Sequence, residues 1–399
     1  MIRSYCRAVV FLVIAIAAAL HAQTFRGALS GTVVDPQGAV VAGATVVLSN
    51  PRTNDTVSIT TNDAGNFSFP ELPVGSYKLS VSESGFASKN IDNIMIELSK
   101  ATNMRVELSL GQESTVVSVE ASGVQTDTVS SSLVAVVDAK SVQEIPLNGR
   151  NFTQMVTLSA GVNINKSVNG ARTNGINYQI DGADNNDPWS NAVASNQGGV
   201  AGIAGGLVPI EAIDQFSMQA SGESDMGRNG GANSNMVLKS GTNQLHGDVF
   251  YFDRNEYFAW RSAVQAPHTR VPEIRNHQGG FTLGGPLWKD HTFFFLAGEI
   301  QIANANSSVG DTVLSDAWIS SARSMLQLHN LAPNSVSTNL YNELFPADSK
   351  GGAATTSNYL SNGRNTYNSY NGVIKVDHRF SDRHQILPSL SRNDWHPIG

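Results

Sequence analysis

Residues 227–299 constrain the fold more than any other stretch. They read Gly-Arg-Asn-Gly-Gly-Ala-Asn, then Asn-Met-Val-Leu-Lys-Ser-Gly-Thr-Asn, then Leu-His-Gly-Asp-Val-Phe-Tyr-Phe. Gly-Gly-Phe-Thr-Leu-Gly-Gly-Pro-Leu follows, then a short polar turn and His-Thr-Phe-Phe-Phe-Leu-Ala-Gly-Glu. Short β-rich runs joined by glycine and asparagine turns, with aromatics at the run ends, are the writing of a membrane β-barrel. No apolar run after residue 22 approaches the roughly 20 residues that a membrane helix needs. If this part of the chain enters a membrane it does so as strands, because an unpaired backbone cannot be left in lipid.

The chain opens with Arg3 and Arg7, an uncharged apolar run over 8–20, and Leu20-His21-Ala22 before Gln23. This predicts a signal peptide over 1–22, removed on export; a retained anchor is the other reading. Cys6, the one cysteine, precedes the apolar run. The exported chain then has no disulfide and no cysteine-based metal site or nucleophile. Export and a barrel together point to the outer membrane of a Gram-negative-type bacterium, with the N-terminal domain in the periplasm and outer-membrane lipid around the strands.

At 399 residues there is room for two or three domains. The formal charge is −7, with no basic patch, so nucleic acid is not expected as a partner. The histidines lack ligand spacing, and there is no His-x-x-Glu, His-Glu-x-x-His, Gly-x-Ser-x-Gly or phosphate-binding loop. We assign no catalytic, cofactor-binding or metal residues and expect no enzyme activity.

Residues 24–111 alternate over candidate strands 31–34, 44–48, 57–61, 66–69, 77–82, 94–98 and 104–110. Met104, Val106, Leu108 and Leu110 are expected to share a face. Turns are marked by Asp35-Pro-Gln-Gly38, Asn62-Asp-Ala-Gly65 and Pro73-Val-Gly75. Seven short strands so spaced predict an immunoglobulin-like sandwich. Gly31-Thr-Val-Val-Asp-Pro-Gln-Gly38, Val41-Ala-Gly-Ala-Thr45, Thr61-Asn-Asp-Ala-Gly-Asn-Phe-Ser-Phe69, Leu72-Pro-Val-Gly-Ser-Tyr77 and Gly85-Phe86 resemble the carboxypeptidase regulatory-like domain. That resemblance implies a transthyretin-like sandwich and a periplasmic scaffold. It also admits carbohydrate binding, although no tryptophan pair here makes a sugar platform.

Residues 112–121, Gln-Glu-Ser-Thr-Val-Val-Ser-Val-Glu-Ala, resemble the short box by which TonB-dependent receptors lend a strand to the TonB C-terminal domain. Val116, Val117 and Val119 are the anchors this implies. A last strand of the sandwich, or a plain linker, is the alternative.

Composition shifts over 122–241. Val142-Gln-Glu-Ile-Pro-Leu-Asn-Gly-Arg-Asn-Phe152 leads into a helical pattern at 152–158 that stops near Gly161. Gly170-Ala-Arg172, Asn177-Tyr-Gln-Ile-Asp-Gly182, Pro209-Ile-Glu-Ala-Ile213, Gln215-Phe-Ser-Met-Gln-Ala220, Gly227-Arg-Asn-Gly-Gly-Ala232 and Asn235-Met-Val-Leu-Lys-Ser-Gly-Thr-Asn243 follow in order. This series is similar to the plug of TonB-dependent receptors of the Oar-like branch, where a regulatory-like sandwich precedes the plug. The resemblance implies energy-coupled uptake of a scarce solute, a small molecule or oligosaccharide. A surface adhesin or carbohydrate-binding module is the rival. Plug residues expected to be structural are Arg150, Arg172, Asp181, Gly182, Arg228, Gly230 and Gly231. Glycines suit tight turns and close backbone passage, and the arginines suit acids inside a barrel. The acid-rich 181–187 invites a calcium reading, but its spacing is not that of a calcium loop, so a polar turn is expected. Trp189 and the glycine-rich 196–206 read as a mobile exposed loop.

From residue 242 the chain is expected to begin a transmembrane barrel, with strands at 247–254, 277–284, 292–302 and 368–380 and a last segment from 383. Phe250, Tyr251, Phe252, Tyr257, Phe258 and Trp260 are expected to form one interface girdle. Residues 304–365 are read as a polar extracellular loop with a helix at 318–329. Only about 150 residues follow His246, against about 22 strands in receptors of the resembled kind. Pro388 also interrupts the last strand. The chain is therefore expected to be an N-terminal fragment that does not transport alone. The fold class expected is mainly β: a sandwich, an α+β plug, and the first strands of an incomplete barrel.

Overall fold

The computed structural model describes residues 27–111, 116–120, 134–194, 208–220, 231–258, 273–344, 359–381, 384–386 and 389–398. The predicted signal segment, Arg228, Gly230, Trp260, Pro388 and the loop 196–206 lie outside the described residues. The protein is mainly β.

The N-terminal unit is a sandwich. Strands β1 (Gly27–Val34), β4 (Asn66–Leu72) and β7 (Ala101–Glu107) form one sheet in the order β4-β1-β7. The other sheet runs β3 (Asp55–Thr60), β2 (Thr45–Asn50), β5 (Gly75–Ser82), β6 (Ser88–Ile96) and β8 (Val116–Glu120). Alternate residues point inward, so Leu29, Val46, Leu48, Phe67, Phe69, Leu79, Val81, Ile94 and Val106 close a common core. Removing one fully buried leucine side chain here costs about 2–5 kcal/mol. Two polar side chains fold the turns. Asp35 Oδ1 accepts from the amides of Gln37 and Ala39, and Asn62 Oδ1 from those of Ala64 and Asn66. The expected alternation stops early: β7 ends at Glu107, Leu108 is still buried, and Leu110 is 67% exposed. Beyond Glu107 the chain leaves the ladder, and Leu110 keeps only an isolated bridge to Phe86.

The second unit holds β9 (Val134–Asp138), α1 (Ala139–Glu144), β10 (Ile176–Ile180), β11 (Ala183–Asp184), β12 (Ile213–Gln219) and β13 (Ala232–Leu238). Its sheet order is β11-β10-β13-β12-β9, with β10 parallel to β13. Asp138 caps α1 through the Ser141 amide. The helical pattern at 152–158 is a 3₁₀ helix, Phe152–Leu158, capped by Asn151. It lays Phe152, Met155 and Val156 on the sheet, against Tyr178, Phe216, Met218 and Met236.

The third unit is an antiparallel wall: β14 (His246–Asn255), β15 (Ile274–Trp288), β16 (Thr292–Asp311), β17 (Tyr359–Ser381), β18 (His384–Ile386) and β19 (Ser389–Ile398). The order is β14-β15-β16-β17-β18, and β19 also pairs with β17. Among the described residues the wall is open, with β14 at one edge. The strands run further than expected. β16 and β17 stay paired from Thr292↔His378 out to Asp311↔Tyr359, into the stretch expected to be loop. Backbone pairing is indifferent to the polar side chains there, so hydropathy alone ends the strands too soon. Between them stand α2 (Asp316–Leu328), capped by Ser315, and α3 (Ser335–Leu344). The Tyr341 hydroxyl joins the two helices by donating to Asp316 Oδ1 at 2.8 Å.

Candidate functional site: the seam between plug and wall

The two faces of the wall have opposite chemistry. The register places Gln278, Gln301 and Ser369 side by side, and likewise Gly280, Glu299 and Asn371. Gln278, Gln301, Ser369, Glu299 and Asn371, with Asn276, Thr282 and Lys375, are buried, and Gly280 is half-buried. The other face carries Val249, Tyr251, Phe281, Leu283, Ile300, Ile302, Tyr370 and Ile374, all exposed. Polar inward and apolar outward is the reverse of a soluble sandwich and fits a sheet with lipid on its outer side. Phe295, Ala297 and Val373 of the inward face belong to the same apolar cluster as the second unit's core. That unit is therefore a plug packed on the lumen side.

Two contacts pin the plug to the wall, one an ion pair and the other a cation on aromatic rings. The first is Lys375 on β17, 4% exposed. Its Nζ lies 3.2 Å from Asp181 Oδ2, an ion pair outside hydrogen-bond geometry, and donates to the Leu238 carbonyl at 3.0 Å. Asp181 Oδ1 accepts from the Leu238 amide at 2.9 Å. Asp181 and Gly182 take φ of 47° and 81°, the left-handed pair that turns β10 into β11. The turn is what delivers the carboxylate to the wall.

The second contact is Arg150. It follows Gly149, and both are left-handed, at φ 55° and 63°. An arginine held there costs of order 1 kcal/mol or more of backbone strain, which the surrounding contacts must offset. Its guanidinium pairs with Glu211 through one nitrogen, leaving Arg150 Nε and Glu211 Oε2 without partners. It also lies 3.7 Å from the centroid of Phe252 and 5.9 Å from that of Phe250, both on β14. Buried Glu299 of β16 feels the charges of both Arg150 and Glu211 and accepts from Asn371 Nδ2 at 3.4 Å. The arginine thus faces an acid of the plug, and aromatics of the wall as well, where acidic partners inside the barrel were expected.

The remaining expected residues are dispersed. Arg172 is exposed and makes no ion pair among the described residues. Gly231 lies where a side chain would strike the Gly175 carbonyl, its Cβ only 2.6 Å away, so close strand passage explains it. The acids of 181–187 do not converge. Asp184 accepts from the Asn186 amide, and Asp187 from the amides of Trp189 and Ser190 and the Ser190 hydroxyl. Those Ser190 bonds hold the Asp187 carboxyl below its ordinary range. Trp189 is 96% exposed beside that turn. The expected aromatic girdle divides because strand neighbours face opposite ways. Phe250 and Phe252 turn toward Arg150. Tyr251 faces outward, its hydroxyl 2.9 Å from His277 Nδ1. Tyr257 and Phe258 lie beyond β14 in a short turn.

Val116, Val117 and Val119 lie on β8. It pairs in parallel with β6, from Ser88↔Val116 to Asp92↔Glu120, as the last strand of its sheet. The outer edge of β8 has no neighbour among the described strands.

One acid at the base of the seam is governed by its burial despite nearby cations. Asp214 lines a cavity of about 180 Å³ where sandwich, plug and wall meet. Burial raises its carboxyl above the ordinary range, against the opposing pull of Arg52, Lys239 and Lys375. A raised acid pKa penalises the folded state above the ordinary carboxyl range and relieves it as pH falls. Asp214→Asn is therefore expected to raise the melting temperature at about pH 8 and leave it unchanged near pH 4. An equal shift at both pH values, read by calorimetry, would contradict this.

Residues 237–397 match the outer membrane beta barrel domain family, and residues 28–109 match the carboxypeptidase regulatory-like domain. With the plug between them, these parts define an outer-membrane barrel protein with a regulatory-like N-terminal sandwich. In this order of parts the chain is similar to Oar-like TonB-dependent receptors. It is 26% identical over 283 residues to the TonB-dependent transporter Oar of Myxococcus xanthus, covering 66% of this chain and 26% of that protein. Among solved structures it is similar to the siderophore receptor PirA from Acinetobacter baumannii, at 16% identity and TM-score 0.41, over 68% of this chain and 33% of that one. A ferric enterobactin receptor from Pseudomonas aeruginosa gives 14% identity and TM-score 0.39, over 66% and 33%. The chain spans about a quarter of the length of the curated relative.

Proposed function

We propose that this protein works in energy-coupled uptake of a solute across the outer membrane, as a receptor driven by the TonB C-terminal domain. One observation carries the reading: a wall polar inward and apolar outward, with a plug sheet pinned to its polar side by Lys375 and Arg150. A plug held to a polar wall by one ion pair and one cation–aromatic contact is suited to being displaced on demand. The likeness to Oar supports the coupling. The solute is a small molecule or an oligosaccharide. Siderophore, oligosaccharide and peptide are the classes to screen.

The coupling segment we assign is β8, with Val116, Val117 and Val119. As the end strand of its sheet it can accept a partner strand along its outer edge. Proline at 117 removes a backbone donor and breaks strand pairing. Val117→Pro is expected to weaken binding of the TonB C-terminal domain at least about tenfold, equal to about 1.4 kcal/mol. Calorimetric titration of the intact chain measures this; an unchanged affinity would remove β8 from the coupling role.

A further inference from the structure

Among the described residues, two turns of the sandwich bond to the rest of the chain, and each meets a different partner. The turn between β2 and β3 meets the wall. Asn54, left-handed at φ 59°, donates from Nδ2 to Asp290 Oδ1 at 3.0 Å. The Asn243 amide donates to the Arg52 carbonyl at 3.0 Å, and Arg379 of β17 pairs with Asp55. The wall prepares this surface itself. Asn243 Nδ2 donates to Asp290 Oδ1 at 2.6 Å, and the Asp290 amide returns a bond to Asn243 Oδ1 at 2.9 Å. The turn before β7 meets the plug. The Leu98 amide donates to Gln215 Oε1 at 2.8 Å, and Ser99 Oγ accepts from Asn235 Nδ2 at 3.1 Å and lies 3.4 Å from Ser217 Oγ. Ser217 and Asn235 are register partners on β12 and β13, so one spot of the plug sheet is gripped.

We propose that the sandwich is a cap on the plug, seated across the seam so that plug and wall are held in one position from below. The surface it covers is the lower face of the plug sheet together with the short-turn end of the wall, and its partner is this chain's own N-terminal domain. Short turns mark the periplasmic end of such walls, and long inserts the outer end. The contacts are hydrogen bonds and one ion pair around a cavity of about 180 Å³ whose walls include Asp214 and Lys375. Polar interfaces of this kind between domains of one chain are made to open and close. Because the cap grips both parts, the plug cannot shift against the wall until one turn lets go.

The test uses thiol cross-linking of the whole chain in detergent, with Cys6 replaced by serine if the leader is retained. Asn54→Cys paired with Asp290→Cys is expected to link through a short bis-maleimide at least about tenfold faster than Asp63→Cys paired with Asp290→Cys. Asp63 lies in the turn at the opposite end of β3. Equal rates, or no link from either pair while single-thiol labelling shows both cysteines reachable, would overturn the cap. Hydrogen exchange then reads the consequence. In the linked chain, amides of β9 and β12 are expected to exchange about tenfold more slowly than in the unlinked chain, and unchanged exchange would overturn the restraint. Neither measurement involves TonB or a solute, so a failed receptor reading and a failed cap remain distinguishable.

Discussion

Replacing Lys375 with methionine will loosen the plug by about 3–5 kcal/mol, the usual cost of stranding one partner of a buried ion pair. Lys375 is 4% exposed and Asp181 10%, so the carboxylate left behind has little water to turn to. The Leu238 carbonyl loses its donor as well. The companion variant separates charge from packing. Asp181→Asn keeps the left-handed turn, which asparagine tolerates, and keeps an oxygen for the Leu238 amide. Lys375→Met with Asp181→Asn should therefore recover most of the loss. Protease release of the plug along a urea gradient measures both. A double variant as weak as the single one would mean that Lys375 acts through its carbonyl bond and not through its charge.

Arg150→Ala is expected to cost a similar 3–5 kcal/mol, for a different balance of reasons. Glu211 is 7% exposed and would keep its charge without a partner. The guanidinium also covers Phe252 at 3.7 Å, a contact worth about 0.5–1 kcal/mol because that ring is 42% exposed. Lysine restores charge but not a planar group that stacks. Arg150→Lys should therefore fall between wild type and alanine, and Phe252→Leu should erase the difference between arginine and lysine. If Phe252→Leu left that difference intact, stacking would not be part of how the plug is held. Glu299 adds a second acid near the same arginine, so removing Arg150 also brings two acids together without their shared cation.

The sequence revealed those elements whose signals were local. The strand starting at Thr292 follows a charged turn, Lys289-Asp290-His291, and opens where expected. The 3₁₀ helix Phe152–Leu158 matches its pattern because Asn151 caps it. Sandwich strands were legible from period-2 alternation and Asx turns. The seam was legible only in part. Arg150 and Asp181 stood out, but their partners Glu211, Phe252 and Lys375 did not, because pairing across 61 and more residues leaves no local mark. One signal was present: Glu299 and Lys375 are lone charges inside apolar strand runs, and such a charge has to face the polar side. Assigning register first would have set both in the lumen and split Phe250 and Phe252 from Tyr251. The second insert helix, Ser335–Leu344, went unseen. Its Ser-Val-Ser-Thr-Asn run has poor helix propensity, and its start rests on Asn334, whose Oδ1 accepts from the Val336 amide.

The outward face of the wall has a cost before it reaches lipid. Val249, Phe281, Ile300 and Ile374 are bare on the sheet surface, and among the described residues β14 ends the sheet with an unpaired edge. In water, an apolar sheet with an open edge is a template for aggregation. The sandwich closes its own core, whereas the apolar face of the wall has no cover of its own among the described residues. The stripe that makes the protein at home in the membrane is the one from which water has to be kept wherever lipid is absent.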